Sequence, residues 1–449
     1  MSCDRHITAT RNQAKGFAVH RAILAAGAVA AILLTAACGN GGPGSESAAA
    51  GGKVQVWALE DAAVNPIATA SIKSFNASTG KQVELSTYVN DAYKQKLQVS
   101  MGSPQAPDVF FNWGGGNLAQ FVQANQVEPL DDMLAKNPGL GDKFLPSVLD
   151  VGKVDGKQYG LPMIGVLPVV LFTNNDVFAK AGVKPPKTYG ELLSLIDVFK
   201  AQGVTPIALA GSQGWTELMW LEYLLDRIGG ADKFQAIADN KPGAWEDPAV
   251  IKALTEIQNL VKRGAFGTNY ASVNYDNQGA SKLFATGKAA MHLMGTWDFS
   301  VQKDANPKFI SGGKLGFVPF PAYEGGAGDP KSVVGNPSNY YSINASSKNK
   351  DVAADFLAKS LSSDEYINGL IDAGQVPAVK GVEATLKGKP NSEFTTFTYN
   401  LVAEAPSFTQ SWDQALSPKV SEKMLTNLQK VFLNKLSPAD FAADMAASK

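Results

Sequence analysis

The chain has 449 residues, of which 45% are hydrophobic, and its 40 basic and 41 acidic side chains give a net charge of −1 at pH 7. This length exceeds what one compact core usually holds and predicts two lobes. The near-neutral charge provides no electrostatic footprint for nucleic acid or for an anionic lipid surface.

The N-terminal residues have the pattern of a secretory leader. An apolar run at residues 22–34 is too short to cross about 30 Å of hydrocarbon as a permanent helix. Four basic residues precede it: Arg5, Arg11, Lys15 and Arg21. Residues 1–37 are therefore predicted to be a signal peptide that is removed before Cys38.

The chemistry open to the folded part is limited by its cysteines and histidines. Cys3 lies in the leader and Cys38 at its end, which leaves no cysteine for a disulfide, a thiolate metal site or a nucleophile. His292 is the histidine that remains after the leader, and its apolar neighbours favour a packed, hydrogen-bonded role over a general base. We therefore expect no metal, no cofactor and no catalytic residue.

A Gly- and Ser-rich stretch at 38–52 predicts a flexible tether. Beyond it, short strand patterns alternate with helical ones, which is the pattern of βαβ units. The first half of this series consists of strands at 53–59, 81–88 and 107–112, helices at 67–78, 93–101 and 117–125, a type I′ hairpin at Asp155-Gly156, and a buried strand at 166–174. That buried strand could carry the chain into a second lobe.

The alternation continues to the C-terminus and predicts an α/β fold throughout. Thr188 and Glu191 form a capping box that opens a helix ending at Gly203. Then follow strands at 206–210 and 289–293, the segment 332–344, and helices at 215–228, 247–263, 351–360, 363–373, 421–433 and from Ser437.

In this order, several motifs resemble the extracellular solute-binding proteins of ABC importers, in the carbohydrate-binding group that includes maltose-binding protein. The motifs are VWALED, APDVFFNWGGGNLAQFVQANQVEPLDD, DGKQYGLP, LFTNNDVFAKAGVKPPKTYGELL and FATGKAAMHLMGTWDFS. Residues 35–38, TAAC, resemble the bacterial lipobox, although Thr35 replaces its usual Leu. An ordinary cleaved signal with an incidental cysteine is the alternative to acylation of Cys38.

The resemblance implies a two-lobed periplasmic-binding-protein-like (type II) fold with a hinge and an interlobe ligand cleft that closes on the ligand. It places the N-terminal lobe at 53–165 and 331–380 and the C-terminal lobe at 166–330 and 381–449. It also implies a monomer anchored to the outer face of the cytoplasmic membrane, which delivers sugar to an ABC permease. The ATPase would be a separate chain, because no GxxxxGK[ST] motif occurs here.

Sugar recognition needs flat apolar faces for the ring and polar groups for its hydroxyls. Trp113, Trp215, Trp297 and Trp412 match stacking positions of the family, whereas the contexts of Trp57, Trp220 and Trp245 favour the core or a turn. The candidate polar partners are Glu60, Asp61, Asn112, Asn117, Gln213, Asp298, Asn336, Asn339 and Tyr340. Polar side chains at the carboxyl ends of strands are typical of ligand sites in open α/β sheets.

Two other function classes remain open. A secreted glycoside hydrolase needs two carboxylates about 5–10 Å apart, and Glu60, Asp61 and Asp298 could supply them. A solute-binding protein for a peptide, a polyamine or a metal is the other alternative. Among sugars, the aromatic positions favour a disaccharide or short oligosaccharide, with xylobiose or a xylo-oligosaccharide first and cello- or malto-oligosaccharides next.

Overall fold

The computed structural model describes residues 52–447. The predicted signal peptide at 1–37, Cys38 and the tether up to residue 51 lie outside the described residues. Among the helices between residues 52 and 447, none is both long enough and apolar enough to span a bilayer.

The first part of the chain builds a sheet whose β1 pairs in parallel with β2 and β3. Its elements are, in order, β1 (Val54–Leu59), α1 (Val64–Thr79), β2 (Val83–Tyr88), α2 (Asn90–Ser100), β3 (Val109–Asn112), α3 (Gly115–Gln123), α4 (Asp131–Lys136), α5 (Leu140–Lys143), α6 (Pro146–Asp150), β4 (Lys153–Val154), β5 (Lys157–Gln158) and β6 (Leu161–Pro162). We call this sheet and the helices packed on it the first lobe.

The chain then enters a second sheet through a fully buried strand. The elements are β7 (Leu167–Asn174), α7 (Asn175–Ala181), α8 (Tyr189–Ala201), β8 (Thr205–Ala208), α9 (Gly214–Gly229), α10 (Asp232–Ala238), α11 (Pro248–Arg263), α12 (Gly279–Ala285), β9 (Ala289–Gly295), α13 (Asp298–Ala305), α14 (Pro307–Ser311), β10 (Leu315–Val318) and β11 (Val333–Asn336). This sheet and its helices form the second lobe.

The chain returns once to each lobe. In the first lobe it adds β12 (Tyr340–Ile343), α15 (Lys350–Ser360), α16 (Asp364–Asp372) and α17 (Glu383–Leu386). In the second lobe it adds α18 (Ser392–Ala403), β13 (Phe408–Gln410), α19 (Trp412–Ala415), α20 (Pro418–Phe432) and α21 (Pro438–Ala446). The resulting strand orders are β2-β1-β3-β12-β6 and β13-β11-β7-β9-β8, with β10 on β7.

Each sheet buries its own hydrophobic core. One core is built around β1, β3 and β12, and the other around β7, β9 and the helix α9. Because the two cores are separate, a cleft can exist where the chain passes from one sheet to the other. The predicted two-lobed α/β fold is confirmed.

Local sequence signals explain several element boundaries. Asp155 and Gly156 have φ values of 49° and 79°, as a type I′ turn requires. The capping box of Thr188 and Glu191 is present at the start of α8. Helix α1 begins at Val64, earlier than predicted, because Asp61 Oδ1 accepts hydrogen bonds from the backbone N–H groups of Ala63, just before the helix, and of Val64, its first residue.

The places where the chain crosses between lobes differ from the sequence expectation. Strand β11 belongs to the second sheet, since it pairs in parallel with β13 and antiparallel with β7. The return to the first lobe therefore falls at 337–339 rather than at 331. The first core also extends beyond 380, because Val382 and Leu386 are buried in it.

We predict that Gly165→Ala destabilises the first crossing. A Cβ at this position would overlap the carbonyl oxygen of Val376, which is backbone and cannot rotate away. We expect a loss of about 1–3 kcal/mol in the free energy of unfolding, typical of overpacking, measured by chemical denaturation. Gly141→Ala is the control, because its Cβ would lie 3.8 Å from the nearest heavy atom. Equal stability of the two variants would contradict this account.

Candidate ligand-binding site

A cavity of about 950 Å³ lies between the lobes and is lined by both. The crossings between the lobes and the strand ends next to them form one part of its wall: Ile164, Leu167, Asn336 and Asn339. The β1–α1 loop and the start of α2 contribute from the first lobe. The start of α9, the turn after β9 and the segment that follows β13 contribute from the second.

Three aromatic side chains of the second lobe meet at this cavity, and we call Trp215, Tyr275 and Trp297 the aromatic corner. The rings of Trp215 and Tyr275 have centroids 4.9 Å apart and meet edge to face, at 80°. The rings of Trp215 and Trp297 are 6.5 Å apart and tilted by 43°. Both tryptophans are only partly buried, so ring surface remains open to a ligand.

The position of Trp297 depends on the residue before the turn. Its ring lies so close over Gly295, the last residue of β9, that a Cβ there would overlap the indole. Glycine at this position therefore lets the indole fold back over the strand end. The sequence Gly-Thr-Trp thus determines where the largest side chain of the turn goes.

Asp298 supports the aromatic corner from beneath, and the prediction that it faces the cleft is corrected. Its carboxylate is fully buried and outside the cavity wall. It accepts hydrogen bonds from the hydroxyls of Tyr275 at 3.1 Å and Ser281 at 2.7 Å, and from Gln302 Nε2 at 2.7 Å. His292 is also buried, with Nδ1 2.9 Å from the carbonyl oxygen of Ala208, which fits the structural role predicted for it.

Gln213 also lies behind the wall rather than in it. Its Oε1 accepts the backbone N–H of Tyr275 at 2.6 Å. Its Nε2 donates to Asp91 Oδ2 of the first lobe at 2.9 Å. The side chain therefore connects the aromatic corner to helix α2 of the opposite lobe.

Four other predicted contact residues do not reach the cavity wall. Trp412 is buried, and its ring stacks on Phe234 at 4.7 Å and 10°, so it belongs to the second core. Tyr340 is buried in the first core and donates to the carbonyl oxygen of Val148 at 2.6 Å. Asn112 accepts the N–H of Gly114 at 3.0 Å and so shapes the glycine loop. Asn117, on α3, also lies outside the wall.

Seven predicted residues do line the cavity: Glu60, Asp61, Trp113, Trp215, Trp297, Asn336 and Asn339. Asn336 and Asn339 are 5% and 9% exposed, and the structure gives neither Oδ1 a hydrogen-bond partner within the described residues. Buried amide oxygens that lack partners are costly, so a ligand hydroxyl at this wall would satisfy them.

Trp113 differs from the aromatic corner because its ring is largely covered. It is 4% exposed and makes edge contacts with Tyr93 and Phe111. The ammonium of Lys94 lies 5.0 Å from the centroid of its indole ring, which is cation–π geometry. Trp113 therefore contributes an edge of the wall, and open aromatic surface is concentrated on the second lobe.

The wall also contains residues that sequence reasoning missed. Lys94 Nζ lies 3.4 Å from Asp413 Oδ2, an ion pair that crosses from the first lobe to the second. Tyr275 lies in a loop without strand or helix periodicity, and Asp413 follows Trp412, whose position matches a stacking position of the family. The sequence signal for the loop that carries Tyr275 is the Asn and Asp content of residues 274–277, which is typical of a turn.

Carboxylates outnumber lysines along the cavity. The acids are Glu60, Asp61, Asp276, Asp304 and Asp413, and the bases are Lys73 and Lys94. Burial raises the pKa of Asp61, while backbone N–H groups donating to its Oδ1 act in the opposite direction. Such a wall offers acceptors to hydroxyl groups and opposes an anionic ligand.

Within residues 52–447, no three metal-ligating side chains are grouped in a way that could hold a metal ion.

Residues 57–366 match the family model of bacterial extracellular solute-binding proteins. The chain belongs to this family. A solved structure from work on xylan utilization by Caldanaerobius polysaccharolyticus superimposes with a TM-score of 0.78 at 30% identity, over 88% of this chain and 98% of that one. A chitin oligosaccharide binding protein also gives 0.78, at 27% identity, over 88% and 97%.

Proteins of several organisms are similar in sequence to this solute-binding protein. The diacetylchitobiose binding protein DasA of Streptomyces coelicolor is 27% identical over 383 residues, which cover 83% of this chain and 85% of its own length. An ABC transporter extracellular-binding protein of Pyrococcus horikoshii is 29% identical over 237 residues, 51% of this chain. The chain spans about half the length of that relative and of a second one from the same organism, at 50% and 54%.

Helix α9 of this solute-binding protein buries two carboxyl groups close to the site. Burial raises the pKa of Glu217 to about 9 and that of Glu222 to about 8. Glu217 Oε2 has no hydrogen-bond partner among the residues described. Since the folded state keeps these protons at neutral pH and the unfolded state loses them, the contribution of these two groups to stability falls as pH rises from about 4.5 towards 9.

We predict that Glu217→Gln reduces this pH dependence. In the wild type, one such group lowers the free energy of unfolding by up to about 1.4 kcal/mol for each pH unit between its two pKa values. The glutamine amide cannot ionise, so this loss does not occur in the variant. Thermal midpoints measured from pH 5 to pH 9 should decline less steeply in the variant. Ser212→Ala, at an exposed residue just before the helix, serves as the control. Identical slopes for wild type and Glu217→Gln would contradict the prediction.

Proposed function

We propose that this protein is the sugar-binding receptor of an ABC importer and that it captures a di- or oligosaccharide without altering it. The observation that carries this proposal is the aromatic corner of the second lobe, which faces carboxylates of the first lobe across the cavity. Indole faces stack on the C–H faces of sugar rings, and the acids accept from ring hydroxyls. The partners proposed with it are permease subunits and a separate ATPase.

The size of the cavity supports a ligand of more than one ring. Its volume of about 950 Å³ lies near the upper end of the range of about 300–1,000 Å³ usual for ligand pockets. Two indole rings at different tilts offer surfaces to two sugar units. Xylobiose or a xylo-oligosaccharide is the first candidate, and the neighbour from work on xylan utilization supports it. Diacetylchitobiose is the second, supported by the name of the Streptomyces relative.

The same proposal includes delivery at the cell surface. The leader at 1–37 would direct secretion, and acylation of Cys38 would attach the monomer to the outer face of the cytoplasmic membrane. The crossings at 163–166 and 337–339 would act as the hinge on which the lobes close.

We predict that Trp297→Ala weakens sugar binding by about 1–3 kcal/mol, the usual value of an aromatic stacking platform. The experiment is isothermal calorimetry of the purified protein against xylobiose, diacetylchitobiose, cellobiose and maltose. Trp297→Ala should retain most of its thermal stability without sugar, because the indole is partly exposed. Affinity equal to that of the wild type would remove Trp297 from the site.

Trp245→Ala provides the matched control. Trp245 is a partly buried tryptophan of the same lobe, packs on Trp412 and Phe441, and lies outside the cavity. This variant should lower the thermal midpoint while leaving sugar affinity unchanged. Loss of affinity in both variants would indicate a general effect on the second lobe.

The anchoring proposal has its own test. Cys38→Ser removes the thiol that would be acylated, so the protein should move from the membrane fraction to the soluble secreted fraction, detected by immunoblot. Cys3→Ser, within the leader, should leave the distribution unchanged. Membrane retention of Cys38→Ser would contradict anchoring at this residue.

Glycoside hydrolysis is the alternative function that an assay can separate from binding. Of the candidate acids, Asp298 is buried and does not reach the cavity, which leaves Glu60 and Asp61 as neighbours on one loop. A chromogenic xylobioside or chitobioside should release no product in the presence of this protein. Turnover would overturn the proposed function.

A further inference from the structure

Glu222 lies directly behind the cavity wall on helix α9. Trp215, Met219 and Glu222 follow the spacing that places side chains on one face of a helix, and the first two line the cavity. Glu222 is 1% exposed and does not itself line the cavity. The carboxyl group of Glu222 therefore lies buried on the same helix face whose other residues, Trp215 and Met219, line the cavity.

Both hydrogen bonds of this carboxyl group go to one segment. Glu222 Oε1 accepts from the Ser411 hydroxyl at 3.0 Å and from the backbone N–H of Trp412 at 2.8 Å. We call residues 411–414 the wall segment, because Ser411, Asp413 and Gln414 line the cavity. The wall segment is short, so two hydrogen bonds at its first two residues fix where the following side chains point.

The wall segment also carries contacts across the cleft. Asp413 pairs with Lys94 of the first lobe, and the preceding Gln410 donates to the carbonyl oxygen of Trp113 at 2.7 Å. A shift at Ser411 would therefore move ligand-facing groups and the contact with the opposite lobe together.

Burying an acid here has a cost that needs a compensating role. Glu222 Oε2 has no hydrogen-bond partner in the described part of the chain, and burial raises the pKa of this group to about 8. A leucine of similar size would avoid that cost, since a buried polar group without partners is unfavourable. Leucine, however, could not accept hydrogen bonds from Ser411 and Trp412. Those two hydrogen bonds are thus what compensates for the cost of burying Glu222.

We propose that Glu222 is a positioning residue for ligand binding, which holds the wall segment in the orientation that the sugar and Lys94 require. This inference rests on the proposed function. Glu222 touches no ligand itself and acts through Ser411, Trp412 and Asp413.

The test compares Glu222→Leu with Glu222→Gln and with Glu217→Leu. Glutamine keeps an oxygen at Oε1 that can accept the same two hydrogen bonds, whereas leucine cannot. Glu217 is equally buried, on the same helix, and makes no hydrogen bond to the wall segment, so Glu217→Leu is the matched control. Ser411→Ala, which removes one of the two hydrogen bonds, is included in case Glu222→Leu does not fold.

Two measurements are made on each purified variant. Calorimetry with whichever of xylobiose, diacetylchitobiose, cellobiose or maltose binds the wild type most tightly gives the affinity. Amide hydrogen exchange by mass spectrometry, without sugar, gives the protection of a peptide covering 411–416. Thermal midpoints without sugar report general destabilisation.

We expect Glu222→Leu to bind sugar at least tenfold more weakly and to exchange faster at 411–416, with a smaller change of the same kind in Ser411→Ala. Glu222→Gln and Glu217→Leu should resemble the wild type in both measurements. Unchanged affinity of Glu222→Leu, or equal loss in Glu217→Leu, would overturn the inference. A wild type that binds none of the four sugars would instead count against the proposed function, while the exchange data still decide whether Glu222 holds the wall segment.

Discussion

Two of the three segments that join the lobes determine where a ligand can sit. Residues 163–166 and 337–339 cross between the cores side by side, and Met163 donates its N–H to the carbonyl oxygen of Asn339 at 2.9 Å. Two backbone segments alone cannot fill the space between two separately packed cores. The cavity is therefore a consequence of the topology, and its side chains come from strand ends and loops of both lobes.

The open aromatic surface lies on one side of this space, whereas carboxylates line both sides. The second lobe supplies that aromatic surface together with Asp276, Asp304 and Asp413, and the first lobe supplies Glu60 and Asp61 beside the start of α1. A ligand with flat apolar faces and hydroxyls at its edge satisfies both sides only when both are close. The pairs that already bridge the cleft, Lys94 with Asp413 and Asp91 with Gln213, show that the lobes approach to hydrogen-bond distance.

Alternating strand and helix patterns predicted the long helices, the central strands of both sheets and the two-lobed fold, because periodicity reports which residues are buried in each element. Shorter or less periodic elements such as α7, α10, α12 and α13, and also the 12-residue α18, were not predicted. Periodicity says nothing about which way a side chain points at the end of an element. Trp297 and Asp298 are adjacent, yet the indole reaches the cavity and the carboxylate is buried beneath it. Trp412 shows the same limit, since its neighbours face the cavity while its ring stacks on Phe234.

Gln213 makes one hydrogen bond to the first lobe and one within the second lobe. Its bond to Asp91 would be lost on any separation of the lobes, but its bond to the N–H of Tyr275 lies within the second lobe, as do the bonds of Asp298. The hydrogen bonds that hold Tyr275 therefore lie within the second lobe, whereas the ring of Trp297 packs against both cores. A ligand that binds first to the second lobe would therefore meet a preorganised surface there, and little side-chain entropy would be lost before the first lobe closes on it.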